Sequence, residues 1–251
     1  MDLGLDGAVA LVTGGVRGVG RGISSVLRDA GATVIACARH AADDLDGIAF
    51  AECDVRDADA VAALIADLVT THGRLDVVVN NAGGSPYALA ADASPRFHAK
   101  IVELNLLAPL LVAQAANVVM QQQSGGGAIV NVSSVSGHRA SPGTAAYGAA
   151  KAALDNLTAS LAVEWAPKVR VNSVVAGMIR TEQAHLHYGD EDGIAAVGRT
   201  VPLGRLAEPE EIGRCVAFLA SPLASYVSGA TLLAHGGGER PGFLDASNAK
   251  E

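Results

Sequence analysis

Aromatic side chains make up only 4% of this 251-residue chain, and it holds three cysteines. So few rings argue against an aromatic-rich β sandwich. Cys37, Cys53 and Cys215 lie far apart without CxxC spacing, which favours reduced thiols and a cytoplasmic setting over a disulfide frame or a zinc site. Positive charge is also short. The net charge is −8 and the Lys and Arg residues are scattered, so no basic stripe is available to neutralise a phosphate backbone and no nucleic-acid partner is expected. No uninterrupted apolar run approaches the roughly 18 residues of a membrane span. The N-terminus carries Asp2 and Asp6 rather than a basic stretch ahead of an apolar one, so neither a membrane anchor nor a signal peptide is expected.

What is present is aliphatic: half of the residues are hydrophobic and 29 are glycine, enough for one large α/β core. Short β-branched runs alternate with longer stretches of helical period, the pattern of a parallel sheet covered on both faces. The runs predict seven strands, Ala8 to Thr13, Thr33 to Ala38, Ile48 to Cys53, Val77 to Asn80, Ala128 to Ser133, Val169 to Val175 and Thr231 to His235. Helical spacing recurs in Val19, Ile23, Val26 and Ala30 before Gly31, and in Val61, Leu64, Ile65 and Leu68 before Gly73. Further helices are predicted from about Ser94 to Gln123, from about Thr144 to Trp165, and from Glu208 with Pro209 in the first turn. Residues 180–204 fit neither period and are read as a mobile lid, and 239–251 as a polar, weakly structured tail. No domain boundary is visible. The fold expected over 1–251 is therefore a single doubly wound, Rossmann-like α/β domain with a seven-stranded parallel sheet.

The first strand runs through Thr13-Gly14-Gly15-Val16-Arg17-Gly18-Val19-Gly20 directly into a helix. Glycines let backbone approach a pyrophosphate, and a helix N-terminus offers free N–H groups and a positive dipole end. A bare strand-to-helix turn would use the same residues, so the strand and helix around it carry the reading of a cofactor site. Tyr147 and Lys151 are four apart in a helical stretch, hence on one face. A phenol titrates near 10 in water, and a nearby ammonium favours its phenolate, so the pair reads as a proton donor tuned by a cation. In isolation it would more often be a half-exposed tyrosine and a solvated lysine.

TGGVRGVG, then Asn80-Asn81-Ala82-Gly83, then Tyr147-Gly148-Ala149-Ala150-Lys151 together resemble the short-chain dehydrogenase/reductase family, and the likeness spans nearly the whole chain. PLGRLAEPEEIG and YVSGATL extend it toward the C-terminus. The resemblance implies that Ser134, at the end of the fifth strand, hydrogen-bonds the reacting oxygen, and that Asn105 helps hold a water relaying protons to Lys151. Adjacent strand residues point to opposite sides, so Ser133 and Ser134 cannot both face the substrate. It implies Tyr147 as general acid or base and a cofactor lined by Gly14, Arg17, Gly18, Val19, Gly20, Arg39, Asp54, Val55, Asn81, Ala82, Gly83, Tyr147, Lys151, Gly177, Ile179 and Thr181. Asp54 would touch adenine through its side chain and Val55 through its backbone, while Asn80 would be structural. Three departures stand out: Ala176 where the family has Pro, His235 where it often has Asp, and only eight residues between Arg39 and Ile48, too few for the usual helix. The resemblance further implies a homotetramer, or a homodimer, built on the helices of Asn105 and Tyr147.

An acid at the end of the second strand would bind the ribose hydroxyls of NAD and repel the extra phosphate of NADP. Here Ala38 takes that place, followed by Arg39, with Arg17 inside the glycine turn. Two guanidinium groups suit a 2′-phosphate, so NADP(H) is the preferred cofactor and NAD(H) the alternative. Asp43, Asp44 and Asp46 nearby are the residues able to reverse that choice. His138, His185 and His187 lack a further ligand at metal spacing and are read as substrate-lining, with no metal expected. The function expected is hydride transfer between NADP(H) and a carbonyl or alcohol of a small molecule. A catalytically silent dinucleotide-binding regulator on the same fold is the competing reading. Such a protein has no use for Asn105, Ser134, Tyr147 and Lys151 together. Val135, Met178, Ile179 and Leu186 hint at an apolar substrate.

Overall fold

Strands that are apolar on both faces bury their side chains and pair their backbone groups together only in a sheet covered on both sides. The computed structural model, which describes residues 2–42 and 44–246, has that arrangement. β1 (Val9–Thr13), β2 (Thr33–Ala38), β3 (Ala49–Glu52), β4 (Val77–Asn80), β5 (Gly127–Ser134), β6 (Val169–Ala176) and β7 (Thr231–Ala234) form one sheet in the order β3-β2-β1-β4-β5-β6-β7. Every pairing is parallel. Each strand lies within a residue of its expected bounds, because its boundaries are set by the ends of the apolar runs.

Alternation along each strand sorts the core in two. Val9 and Leu11 face α2 (Ala58–His72) and the helices after β4 and β5, whereas Ala10 and Val12 face α1 (Gly18–Asp29) and a C-terminal helix. On the first side Val61, Ile65 and Leu68 of α2 pack with Val112, Ala116 and Met120 of the chain after β4. On the other, Ile23 and Leu27 of α1 meet Ile212, Val216 and Leu219. The sheet is thus doubly wound, as expected.

The stretch predicted as one helix from Ser94 to Gln123 comprises α3 (Pro95–Val102), a π turn at Glu103–Leu107 and α4 (Ala108–Gln122). Two residues explain the wider turn. Pro109 has no N–H to give the carbonyl four residues back, that of Asn105. The Asn105 side chain meanwhile donates to the Ile101 carbonyl at 2.9 Å, taking the place of a backbone donor. An 18-residue window within Pro95–Gln122 has a mean hydropathy of 1.5, so by length and composition this helical stretch is apolar enough to cross a membrane although no uninterrupted apolar run is that long. Here its Ala108, Val112, Ala113, Ala116 and Met120 are buried against the sheet.

α5 (Ala145–Glu164) follows β5. Residues 180–204 depart from the expected irregular lid, since they contain α6 (His185–Tyr188) and α7 (Glu191–Thr200). Asp190 caps α7 by accepting from the Gly193 N–H at 3.0 Å. Ala184, Ile194 and Leu206 make a small core of their own. Gly193 and Gly198 dilute the apolar stripe, so the period is hard to see in the sequence. α8 (Pro209–Ala220) opens on Pro209 as predicted, and between Arg39 and Ile48 the described residues hold no helix. In the tail, α9 (Gly242–Ala246) replaces the expected lack of structure, and 247–251 lie outside the described residues.

Candidate active site

In this strand order the chain winds one way from β1 to β2 and the other way from β4 to β5, leaving a crevice beyond the carboxyl ends of β1 and β4. A cleft of about 610 Å³ opens there. Gly14, Arg17, Gly18, Val19, Gly20, Arg39, Asp54, Val55, Asn81, Ala82, Gly83, Ser134, Tyr147, Lys151, Gly177, Ile179 and Thr181 all line it. Asn105 lies just beneath. The sequence motifs, spread over most of the chain, thus converge on one cavity.

Thr13 fastens the glycine turn to the Asn-Asn-Ala-Gly segment: its Oγ1 accepts from the N–H groups of Asn81 and Ala82, each at 3.0 Å. Asn81 returns the contact through Nδ2, which donates to the carbonyls of Thr13 at 2.9 Å and Gly14 at 3.2 Å. This side chain holds the floor of the cleft together. A Cβ on Gly20 would collide with the Gly14 carbonyl and with Asn81 Nδ2, so the close approach of α1 to the turn requires glycine. Asn80 is indeed internal, donating to Asn131 Oδ1 at 2.9 Å and the Pro109 carbonyl at 3.1 Å. At the start of α1 the Gly18 N–H donates to the Glu182 carboxylate at 3.0 Å. A negatively charged oxygen therefore already occupies the position that an anionic ligand would take at this helix terminus. Glu182 also lines the cleft and was not singled out in the sequence, since nothing local links it to a residue 164 positions earlier.

At the other end, α5 presents Tyr147 and Lys151 on one face, with Lys151 Nζ 5.6 Å from the centre of the Tyr147 ring. Lys151 is only 3% exposed, and its ammonium donates to the Val132 carbonyl at 2.7 Å. Burial lowers its pKa to about 8, with Asp155 acting in the opposite direction. Burial pushes the Tyr147 phenol above its ordinary value, while a hydrogen bond with Ser134 pulls it down. The net direction is opposite to that expected from the neighbouring lysine. The ammonium points at a backbone carbonyl rather than at the phenol oxygen, and desolvation disfavours the phenolate.

Both Ser133 and Ser134 line the cleft, but the Ser133 side chain is buried and turned to α5, its Oγ 2.9 Å from Asp155 Oδ2. Asn105 is fully buried, accepts from the Gly84 N–H at 2.8 Å and donates to the Gly84 carbonyl at 2.9 Å. A Cβ on Gly83 would sit 2.6 Å from Asn105 Oδ1 and 3.4 Å from Lys151 Nζ, so Gly83 lets these two groups approach the same point.

At the opposite end of the cleft Arg39 and Arg17 are both exposed. Asp54 is held by Arg56, which donates to both carboxylate oxygens and, with burial opposing, lowers its pKa to about 2. Arg56, a lining residue missed in the sequence, is thus a third cation here. Asp46 pairs with Arg28 of α1, the Asp44 carboxylate accepts from the Asp46 N–H, and neither lines the cleft. Asp43 lies outside the described residues. His138 bonds Asp155 and His185 bonds the Glu182 carbonyl. Among the described residues no group of three His, Cys, Asp or Glu side chains is placed to hold a metal.

A switch-point cleft with a glycine turn at one end and a Ser-Tyr-Lys cluster at the other defines an α/β oxidoreductase. Residues 14–239 match the family described as enoyl-(acyl carrier protein) reductase. An uncharacterized oxidoreductase of Mycobacterium tuberculosis is 34% identical over 244 residues, covering 93% of this chain and 92% of that protein. The human dehydrogenase/reductase SDR family member 4 is 34% identical over 241 residues, covering 91% and 86% respectively. The ligand-free aldohexose dehydrogenase of Thermoplasma acidophilum superposes with a TM-score of 0.87 at 31% identity, over 98% of this chain and 97% of that one. The chain belongs to the short-chain dehydrogenase/reductase family and is an oxidoreductase that works with a nicotinamide cofactor.

Proposed function

We propose that this protein is a single-domain, cytoplasmic enzyme that transfers hydride between NADP(H) and a ketone, aldehyde or secondary alcohol of a small molecule, with Tyr147 as the proton donor and acceptor. The observation that carries the reading is the convergence of Ser134, Tyr147 and Lys151 on the cleft that also holds the glycine turn. The cradle fits a dinucleotide on its own geometry, through the Gly18 N–H already facing a carboxylate and glycines where a side chain would close the floor. When bound, the nicotinamide ring supplies or accepts the hydride. Gly14, Gly18, Val19 and Gly20 hold the pyrophosphate, Asp54 and Val55 the adenine, and Asn81, Ala82, Gly83, Gly177, Ile179 and Thr181 the remainder. Ser134 orients the reacting oxygen, Tyr147 exchanges its proton, and Lys151 binds the ribose and supplies positive charge. Asn105 holds the backbone at Gly84 in place and completes the proton path behind Lys151. A positioned acid of this kind is worth about 10² to 10⁴ in rate.

Support for NADP(H) over NAD(H) is electrostatic. Among the described residues no carboxylate stands at the end of β2, Arg39 and Arg17 line the cleft, and Asp44 and Asp46 are engaged elsewhere. A 2′-phosphate brings close to two negative charges, and each charge-assisted contact is worth about 1.5 to 3 kcal/mol. Arg39→Ala is expected to weaken NADPH binding roughly tenfold to a hundredfold and to leave NADH nearly unchanged. Ala38→Asp adds repulsion of the phosphate and an acceptor for ribose hydroxyls, shifting preference toward NADH. Calorimetric titration of both cofactors into the three proteins is the test; equal loss of NADPH and NADH in Arg39→Ala would show that this arginine does not read the phosphate.

A homotetramer, with a homodimer as the simpler assembly, is the proposed state. Leu107 and Val118 beside the first of the two implicated helices, and Val163 on α5, are large apolar side chains left exposed on this chain. Light scattering at micromolar concentration is expected to give four or two times the chain mass, and a monomer there would contradict it.

A further inference from the structure

One largely covered acid on α5 has no part in the chemistry above. Asp155 lies one helical turn beyond Lys151, so the two share a helix face with Tyr147. Its carboxylate, 11% exposed, is gripped from three separate elements. Ser173 Oγ of β6 donates to Oδ1 at 2.6 Å, Ser133 Oγ of β5 donates to Oδ2 at 2.9 Å, and His138 Nε2 from the turn after β5 meets Oδ2 at 2.9 Å. Ser133 Oγ also lies 3.3 Å from the Lys151 carbonyl. An acid that is nearly dry and this firmly bonded fixes both the helix and a negative charge.

The other charged groups of the elements packed on this face are turned to different work. On α3, Arg96 and Lys100 are exposed, and His98 packs edge-on against Phe97. Glu103 of the π turn acts on Arg56, and Arg170 of β6 donates to carbonyls at the end of α8. β5 offers the hydroxyls of Ser133 and Ser134 and the neutral amide of Asn131, which donates to Thr158 Oγ1 at 2.8 Å, and the π turn the neutral amide of Asn105. Among the described residues, Asp155 is left as the charge acting on Lys151.

We propose that Asp155 is the positioning residue of Lys151, an anchored counter-charge that keeps the buried ammonium charged and α5 in register with β5 and β6. This rests on the role given to Lys151 above, and it assigns the residue that sustains that role. His138, with its side chain 40% exposed, joins the buried carboxylate to the surface.

The test is Asp155→Asn, which preserves shape and hydrogen bonding while removing charge. The lysine then surrenders its proton more readily, so the alkaline fall of kcat shifts down by about one pH unit or more, with kcat at acidic pH and cofactor affinity little changed. A purely structural role predicts a similar loss at every pH. The second measurement needs no turnover: unfolding free energies of wild type, Asp155→Asn, Lys151→Met and the double variant. Coupling is expected: Asp155→Asn destabilises the wild type and has a smaller effect once Lys151 is replaced. Additive effects would overturn the proposal, as would a uniform loss of kcat in Asp155→Asn. Coupling in unfolding without any shift of the pH profile would uphold the charge pair and contradict instead the catalytic role of Lys151. Should Asp155→Asn fail to fold, Asp155→Glu serves: it restores the charge, and a wild-type pH profile is expected.

Discussion

Tyr147→Phe will leave an enzyme that binds its cofactor about as well as wild type and turns over about 10² to 10⁴ times more slowly. The ring stays, so packing against Lys151 Nζ, 5.6 Å from the ring centre, is preserved. Only the hydroxyl is lost, and with it both the Ser134 hydrogen bond and the proton delivered to the substrate oxygen. Because burial holds this phenol above its ordinary value, the wild-type residue is protonated at neutral pH and ready to donate in the reducing direction. Steady-state kinetics beside cofactor titration separate the two effects. A Phe variant with half the wild-type kcat would remove Tyr147 from the proton transfer.

Lys151→Met is expected to do two things that run in opposite directions. Turnover falls by a factor comparable to that of Tyr147→Phe, because the ribose contact and the positive charge both go. Stability rises. A lysine lowered from 10.5 to about 8 carries a charge that the folded state disfavours by about 3 kcal/mol. The sign follows from the depressed value: the penalty is full below pH 8, shrinks as pH rises through 8, and is gone above the unfolded value of 10.5. Methionine removes it at neutral pH and fills a similar volume, while the Val132 carbonyl loses its donor at about 1 kcal/mol. The variant should therefore be more stable than wild type by about 1 to 3 kcal/mol at pH 7, with that advantage lost above the unfolded value of 10.5, where only the missing donor to Val132 remains. Denaturant unfolding at both pH values measures it; a destabilised variant at pH 7 would mean that the buried ammonium is fully compensated.

The strand segments and the site motifs could be read in the sequence because each is local. A run such as Val77-Val78-Val79 is apolar on both faces wherever it lies, and Tyr147 and Lys151 are four apart on one helix. The features that escaped have partners far along the chain. Asp155 meets Ser133 from 22 residues away and Ser173 from 18, and Glu182 meets Gly18 across 164. The π turn depends on a side-chain bond from Asn105 to Ile101 that no periodicity encodes. The Tyr147 shift went the other way because burial, a property of the whole fold, outweighed a neighbour visible in the sequence. Arg56 was legible in principle, as a cation two residues past Asp54, but its reach into the cleft is set by the ion pair.

Hydride transfer to carbon is the central claim, and isotope tracing tests it most directly. Purified protein would be incubated with NADPH deuterated at the transferable position and a panel of ketones and aldehydes, and each product alcohol examined by mass spectrometry and NMR. The account predicts that the carbonyls consumed give alcohols carrying deuterium on the former carbonyl carbon, one label per NADPH oxidised. Tight binding of NADPH with no carbonyl reduced, and with no alcohol oxidised in the reverse mixture with NADP, would contradict it and leave the cleft a site of binding alone.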